Sequence, residues 1–73
     1  MEILVIHDAT QIKAWLCGVP LEAAASHIAN GFPELQEDWS NQTVTAEIIT
    51  VPEEDCFRDD LYEVYEGLVR RKS

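Results

Sequence analysis

Basic residues are scarce in this chain: 5 lysines and arginines stand against 14 aspartates and glutamates, for a formal net charge of −9. Three of those cations, Arg70, Arg71 and Lys72, are gathered at the end of the sequence. Residues 1–69 therefore set 14 acids against Lys13 and Arg58 alone, a balance of −12. Direct binding to nucleic acid or to an anionic membrane surface is excluded on this ground, because either needs a basic footprint. The excess is also larger than solubility requires, which points to a basic protein surface as partner.

Other shortages narrow the chemistry. With 3 glycines there is no glycine-rich phosphate loop. The 2 cysteines, Cys17 and Cys56, are too few and too far apart for a disulfide framework and read as buried thiols in a reducing compartment. Together with His7 and His27 they form no CxxC or HxxxH spacing, and the acids do not follow a calcium-loop pattern with its central glycine. No metal and no cofactor is expected. Cys17 precedes Gly18 at the end of an expected helix, where the dipole discourages a thiolate, so no catalytic residue is expected either. The apolar start, Met1 to Ile6, lacks a basic leader and a cleavage pattern, and no run approaches membrane-spanning length. The expectation is a cytoplasmic protein.

What remains is a chain of 73 residues, expected to form one domain over 1–73. A domain of this size buries only about 60% of its unfolded surface, leaving little mass for a deep substrate pocket beside a core. Its 47% hydrophobic content is that of a folded domain, not of a disordered acidic tail. A binding protein, not an enzyme, is the expected class.

Glu2 to His7 reads as a strand buried on both faces. Asp8 stands three residues before Gln11 as in a capping box, and Ile12, Trp15 and Leu16 follow at helical spacing, which predicts a helix over 9–17 ended by Gly18. Pro20 suits the first turn of a second helix with Leu21, Ala24, Ala25 and Ile28 inward, closed by Asn30-Gly31. Residues 33–42 fit either a further helical turn or a short strand. Thr43 to Val51 alternates as a strand. Thr50-Val51-Pro52-Glu53 opens a last helix with Phe57, Leu61, Val64, Tyr65 and Leu68 on its core face. The expected class is α+β in the order strand-helix-helix-strand-helix, with a small two- or three-stranded sheet covered by helices. A strand–helix–strand unit predicts parallel strands joined by a crossover, and a sheet this narrow invites a second copy to widen it as a homodimer.

On the last predicted helix, Asp55, Asp59, Glu63 and Glu66 fall in one stripe flanked by Asp60, with no lysine among them. Like charges so spaced each cost about 0.2–0.5 kcal/mol, which suggests a face kept acidic for a partner. At a helical rise of ~1.5 Å per residue the stripe carries about one charge per 5 Å, roughly threefold sparser than duplex DNA. A second cluster, Glu34, Glu37 and Asp38 beside Trp39, would have to complete it. These nine residues are the candidate partner-binding set. Residues 12–30 faintly echo a helix-turn-helix, but the reading helix would offer alanines and one glutamate where DNA wants Arg, Lys, Asn and Gln.

In size, acidity and compact α+β order the chain resembles the small phage-encoded anti-CRISPR proteins, a likeness of type with no shared motif. That resemblance implies an inhibitor that binds a CRISPR effector by protein–protein contact or partial DNA mimicry. The strand Glu2–Ile6, the helix end Phe32-Pro33-Glu34, the alternating Thr43-Val44-Thr45-Ala46-Glu47 and a final helix also resemble the DinI-like damage-inducible proteins. Their pattern implies a modulator of a recombinase filament. It departs here in lacking a further strand and an acidic, tryptophan-bearing end; Arg70-Arg71-Lys72 stands there instead. An antitoxin or accessory prophage protein is the remaining alternative.

Overall fold

The computed structural model describes residues 1–72 and shows an α+β fold. Its centre is β1 (Glu2–His7), in which Ile3, Leu4, Val5 and Ile6 are wholly buried, as a strand apolar on both faces requires. β2 (Ile12–Cys17) and β3 (Thr45–Thr50) flank it in the order β2-β1-β3, both antiparallel to β1.

The helix expected over 9–17 is strand β2. Asp8 acts as the sequence suggests, accepting from the amides of Thr10 at 2.8 Å and Gln11 at 2.6 Å, but it organises a turn instead of a helix start. The Asp8 amide closes that turn on the Gln11 carbonyl at 3.0 Å. An aspartate side chain serves Asx turns and helix caps by the same bonds, so local sequence could not separate them. The choice was made by β1, which needs a neighbour on each side. A register shift opposite Ile6/His7 leaves Lys13 bulged outward. Beyond it Trp15 and Cys17 join one core cluster, while Ala14 and Leu16 join the other. Gly18, at φ +71°, turns the chain away from β2.

The parallel relation expected between the first strand and the strand over 43–51 is not found, because β1 and β3 are antiparallel neighbours and the crossover starts instead from β2. Since β2 and β3 are both antiparallel to β1, they run parallel to each other across it, and the helical segment spans the gap. A 3-10 turn at Leu21–Ala23 leads into α1 (Ala24–Gly31), where Ala24 and Ile28 are buried while Leu21 and Ala25 face solvent. Pro33 opens another 3-10 turn, Pro33–Leu35, followed by α2 (Gln36–Ser40). Residues 33–40 are thus helical, which decides the alternative left open by the sequence.

The last predicted helix is absent. Residues 53–61 make two 3-10 turns, Glu53–Asp55 and Asp59–Leu61, and the remainder is a hairpin of β4 (Tyr62–Tyr65) and β5 (Leu68–Arg71). Glu66 at φ 53° and Gly67 at φ 80° form its two-residue turn, the conformation that matches the twist of paired strands. The hairpin's Tyr62 and Val69 pack inward, whereas Phe57, Tyr65 and Leu68, expected in the core, are exposed.

The molecule has three layers. Ile6, Ala14, Ile28, Leu35 and Val44, with Leu16, Phe32, Trp39 and Ala46, bind the helices to one face of the sheet. Ile3, Val5, Val51, Cys56 and Tyr62, with Trp15, Cys17 and Val69, bind the hairpin to the other. The sheet has one strand more than the two read from the sequence, β2, and the hairpin forms a separate two-stranded sheet that covers one of its faces.

Candidate partner-binding surface

The nine candidate residues do not share a surface. Glu34, Glu37, Asp38 and Trp39 belong to the helical layer; Asp55, Asp59, Asp60, Glu63 and Glu66 belong to the segment on the opposite side of the sheet. The stripe from Asp55 to Glu66 needed a continuous helix, and a 3-10 turn followed by a strand and a turn points these acids in different directions.

Several of them are also engaged. Asp55 is buried and accepts from the Tyr62 hydroxyl at 2.9 Å and from Arg71 Nη1 at 2.8 Å. Burial first, and then the bond to Asp55, push the Tyr62 phenol above its usual range. Arg58 makes a two-pronged contact with Asp60 at 3.1 and 3.2 Å, which lowers the Asp60 carboxyl and raises the guanidinium. Glu63 opposes Arg70 in register and accepts from its Nε at 3.0 Å, while the guanidinium lies 3.8 Å over the Tyr65 ring. Among the nine, Asp59 and Glu66 stay exposed on this side without an ion pair among the described residues.

Ion pairing also reveals where the net charge resides. Lys13 pairs with Asp8, Arg58 with Asp60, Arg70 with Glu63 and Arg71 with Asp55. Four of the 5 cations are thereby matched locally, so ten of the 14 acids and Lys72 carry the whole −9. In the helical layer, residues 21–42, Glu22, Glu34, Glu37 and Asp38 have no lysine or arginine in the same stretch. Glu34 and Glu37 are exposed and Asp38 half-exposed.

Backbone bonds hold this face in place. The Asp38 carbonyl accepts from the Thr43 amide at 2.9 Å and its carboxylate from the Thr43 hydroxyl at 3.1 Å, while Gln42 takes a left-handed φ of 62°. Trp39 is half-buried against the helical core and also lines an open cleft with Gln42, Val44, Thr45 and Ala46. A second cleft lies along β2, walled by Ile12, Trp15, Phe32, Phe57 and Asp59. Phe57 is 85% exposed there.

Three arrangements escaped the sequence reading. Cys17 and Cys56 meet across the sheet and hairpin layers. Tyr62, outside the predicted core face of the last helix, is buried with its ring 5.1 Å from that of Trp15. His7 is buried, its Nδ1 bonded to the Asp8 carbonyl at 2.9 Å, and its Nε2 lies 3.6 Å from Glu47 with no hydrogen-bond partner. The Glu66-Gly67 turn between apolar-bearing strands was the signal for the hairpin that carries Tyr62; no local pattern signals the meeting of the cysteines. Among the described residues no three of His, Cys, Asp and Glu converge as a metal site, and no helix is long and apolar enough to cross a membrane. Compared with protein-family models, curated proteins and solved structures, the chain matches none.

Proposed function

We propose that this chain is a small acidic inhibitor that docks its helical layer on a basic, nucleic-acid-handling protein complex, with a CRISPR effector as the favoured target. The supporting observation is the asymmetry of cations: Glu22, Glu34, Glu37 and Asp38 lie on a layer without lysine or arginine, which also carries half-buried Trp39. Unpaired surface carboxylates steer a cationic partner, and a half-buried tryptophan supplies an apolar anchor at the centre of such a contact. Acids this dispersed do not reproduce the charge density of a duplex, so the reading is steric blockade by protein–protein contact, not imitation of DNA.

The test is capture of type I and type II CRISPR surveillance complexes by the tagged protein, with a recombinase filament and a basic toxin as parallel baits. Those two are the partners that the DinI-like and antitoxin alternatives imply. Glu34→Lys combined with Glu37→Lys should abolish capture, and raising salt from ~50 to ~300 mM should weaken it. Asp59→Lys with Glu66→Lys, on the other side of the sheet, should leave capture intact. Binding that survives the first pair and is lost with the second would overturn the assignment of the surface.

A further inference from the structure

The two cysteines of the chain lie 39 residues apart in sequence and belong to different layers, yet their Sγ atoms are 2.7 Å from each other. Cys17 ends the edge strand β2; Cys56 follows the 3-10 turn that leads from the sheet into the hairpin layer. The Cys56 carbonyl accepts both the Cys17 thiol at 2.8 Å and the Trp15 indole Nε1 at 2.7 Å, so the approach is fixed from three directions. We propose that Cys17 and Cys56 form a reversible dithiol–disulfide pair that clamps the hairpin layer to the sheet when oxidised by a small-molecule disulfide such as oxidised glutathione.

The sulfurs need close by only about 0.7 Å to reach the ~2.05 Å of an S–S bond. Cys17 is half-buried and Cys56 more deeply so, which makes Cys17 the point of entry. Its thiol gives up a proton and attacks one sulfur of glutathione disulfide, displacing a glutathione thiolate that takes the proton. Cys56 then loses its proton and attacks Cys17 Sγ, displacing the second glutathione. Two protein thiols are oxidised to one disulfide, and one small disulfide is reduced to two thiols. Burial and the neighbouring Cys56 push the Cys17 thiol up to about 11, which keeps its thiolate scarce at neutral pH and makes the exchange slow.

The consequence is mechanical. The reduced protein holds the 51–61 segment by hydrogen bonds and packing; the oxidised protein ties it covalently to β2 and fixes exposed Phe57 over the β2 cleft. The helical layer lies on the other face of the sheet and is not crossed by the bond.

The test uses the full chain, reduced and freed of reductant, then equilibrated with oxidised and reduced glutathione in varied ratio. The expected product has no free thiol, a mass lower by two hydrogens, no cross-link between chains, and a Tm higher by on the order of 10 °C, all reversed by dithiothreitol. Cys17→Ser and Cys56→Ser should each lose the Tm response while keeping a single titratable thiol. Accumulation of a stable glutathione adduct with the other thiol still free would overturn the proposal, as would cross-linking between chains. So would failure of the folded protein to oxidise under conditions in which the urea-unfolded chain does.

Discussion

The two layers that cover the central sheet are both acidic, but only one of them also carries cations. The hairpin side, residues 51–72, contains every arginine of the chain, and Arg58, Arg70 and Arg71 each meet a carboxylate of the same segment. The helical side, residues 21–42, has acids only and is held to the sheet by Ile28, Leu35, Phe32 and Trp39. On the first side Asp55, Asp60 and Glu63 are tied to arginines beside exposed Glu53, Glu54, Asp59 and Glu66; on the second, every carboxylate lies in a stretch without lysine or arginine. The total of −9 gives no hint of this division.

Breaking the apolar attachment of the helices should have the largest effect. Ile28→Ala removes a wholly buried side chain and should destabilise by roughly 2–5 kcal/mol in urea titration, enough to unfold a domain of this size. A loss below ~1 kcal/mol would mean that the helical layer contributes little to the global fold. On the hairpin side, Asp55→Ala strands the buried Tyr62 hydroxyl and frees Arg71. Because Arg71 is more than half exposed, the expected loss is about 1–3 kcal/mol, below that of a fully buried pair. The two variants should also differ spectroscopically, since the Trp15–Tyr62 contact lies on the hairpin side alone.

Alkaline titration should act on that side too. The folded Tyr62 and Cys17 both hold their protons more tightly than the ordinary phenol and thiol. For such groups the unfolded chain loses its proton first, so their stabilisation is complete below about pH 9 and declines as pH rises through the folded values. Denaturant midpoints measured from pH 8 upward should fall most steeply between about pH 9 and 11, and Tyr62→Phe should flatten the upper part of the decline. A midpoint independent of pH over that window would contradict the burial of both groups.

The smallest stability effects separate the layers most sharply. Arg70→Ala, which removes an exposed cross-strand pair, should cost about 0–1 kcal/mol. Glu37→Gln relieves a like-charge neighbour of Glu34 and should be neutral or stabilising by about 0.2–0.5 kcal/mol. If partner binding follows the unpaired acids, the second change weakens capture although the protein becomes no less stable.

The sequence was legible where one element admitted one reading. Ile3 to Ile6, apolar without interruption, had to be an inner strand, and Pro20 and Asn30-Gly31 bracketed a helix. It was ambiguous where one pattern fitted two periods. Phe57, Leu61, Val64, Tyr65 and Leu68 satisfy helical spacing, yet Tyr62-Glu63-Val64-Tyr65 and Leu68-Val69-Arg70 alternate around Glu66-Gly67, and the hairpin is what forms. A left-handed Glu66-Gly67 pair closes a two-residue turn at no steric cost to the glycine, whereas a glycine inside a helix is unfavourable. The candidate site inherited this ambiguity. Glu34 to Trp39 stay together because one 3-10 turn and one short helix carry them, but the acid stripe depended on a helix and dissolved with it.

By itself the sequence determined the α+β class, the inner strand, the acidic excess and the scarcity of residues for metal or nucleophilic chemistry, because these follow from composition and from unbroken local runs. Tertiary structure alone decided which acids are paired, which face stays bare and that Cys17 and Cys56 meet. Each of these depends on segments far apart in the chain, and a local pattern cannot report the distance between them. The physical reason lies in β1: a strand apolar on both faces demands a neighbour on each edge and a cover on each side. Meeting that demand turned one predicted helix into β2 and another into the covering hairpin.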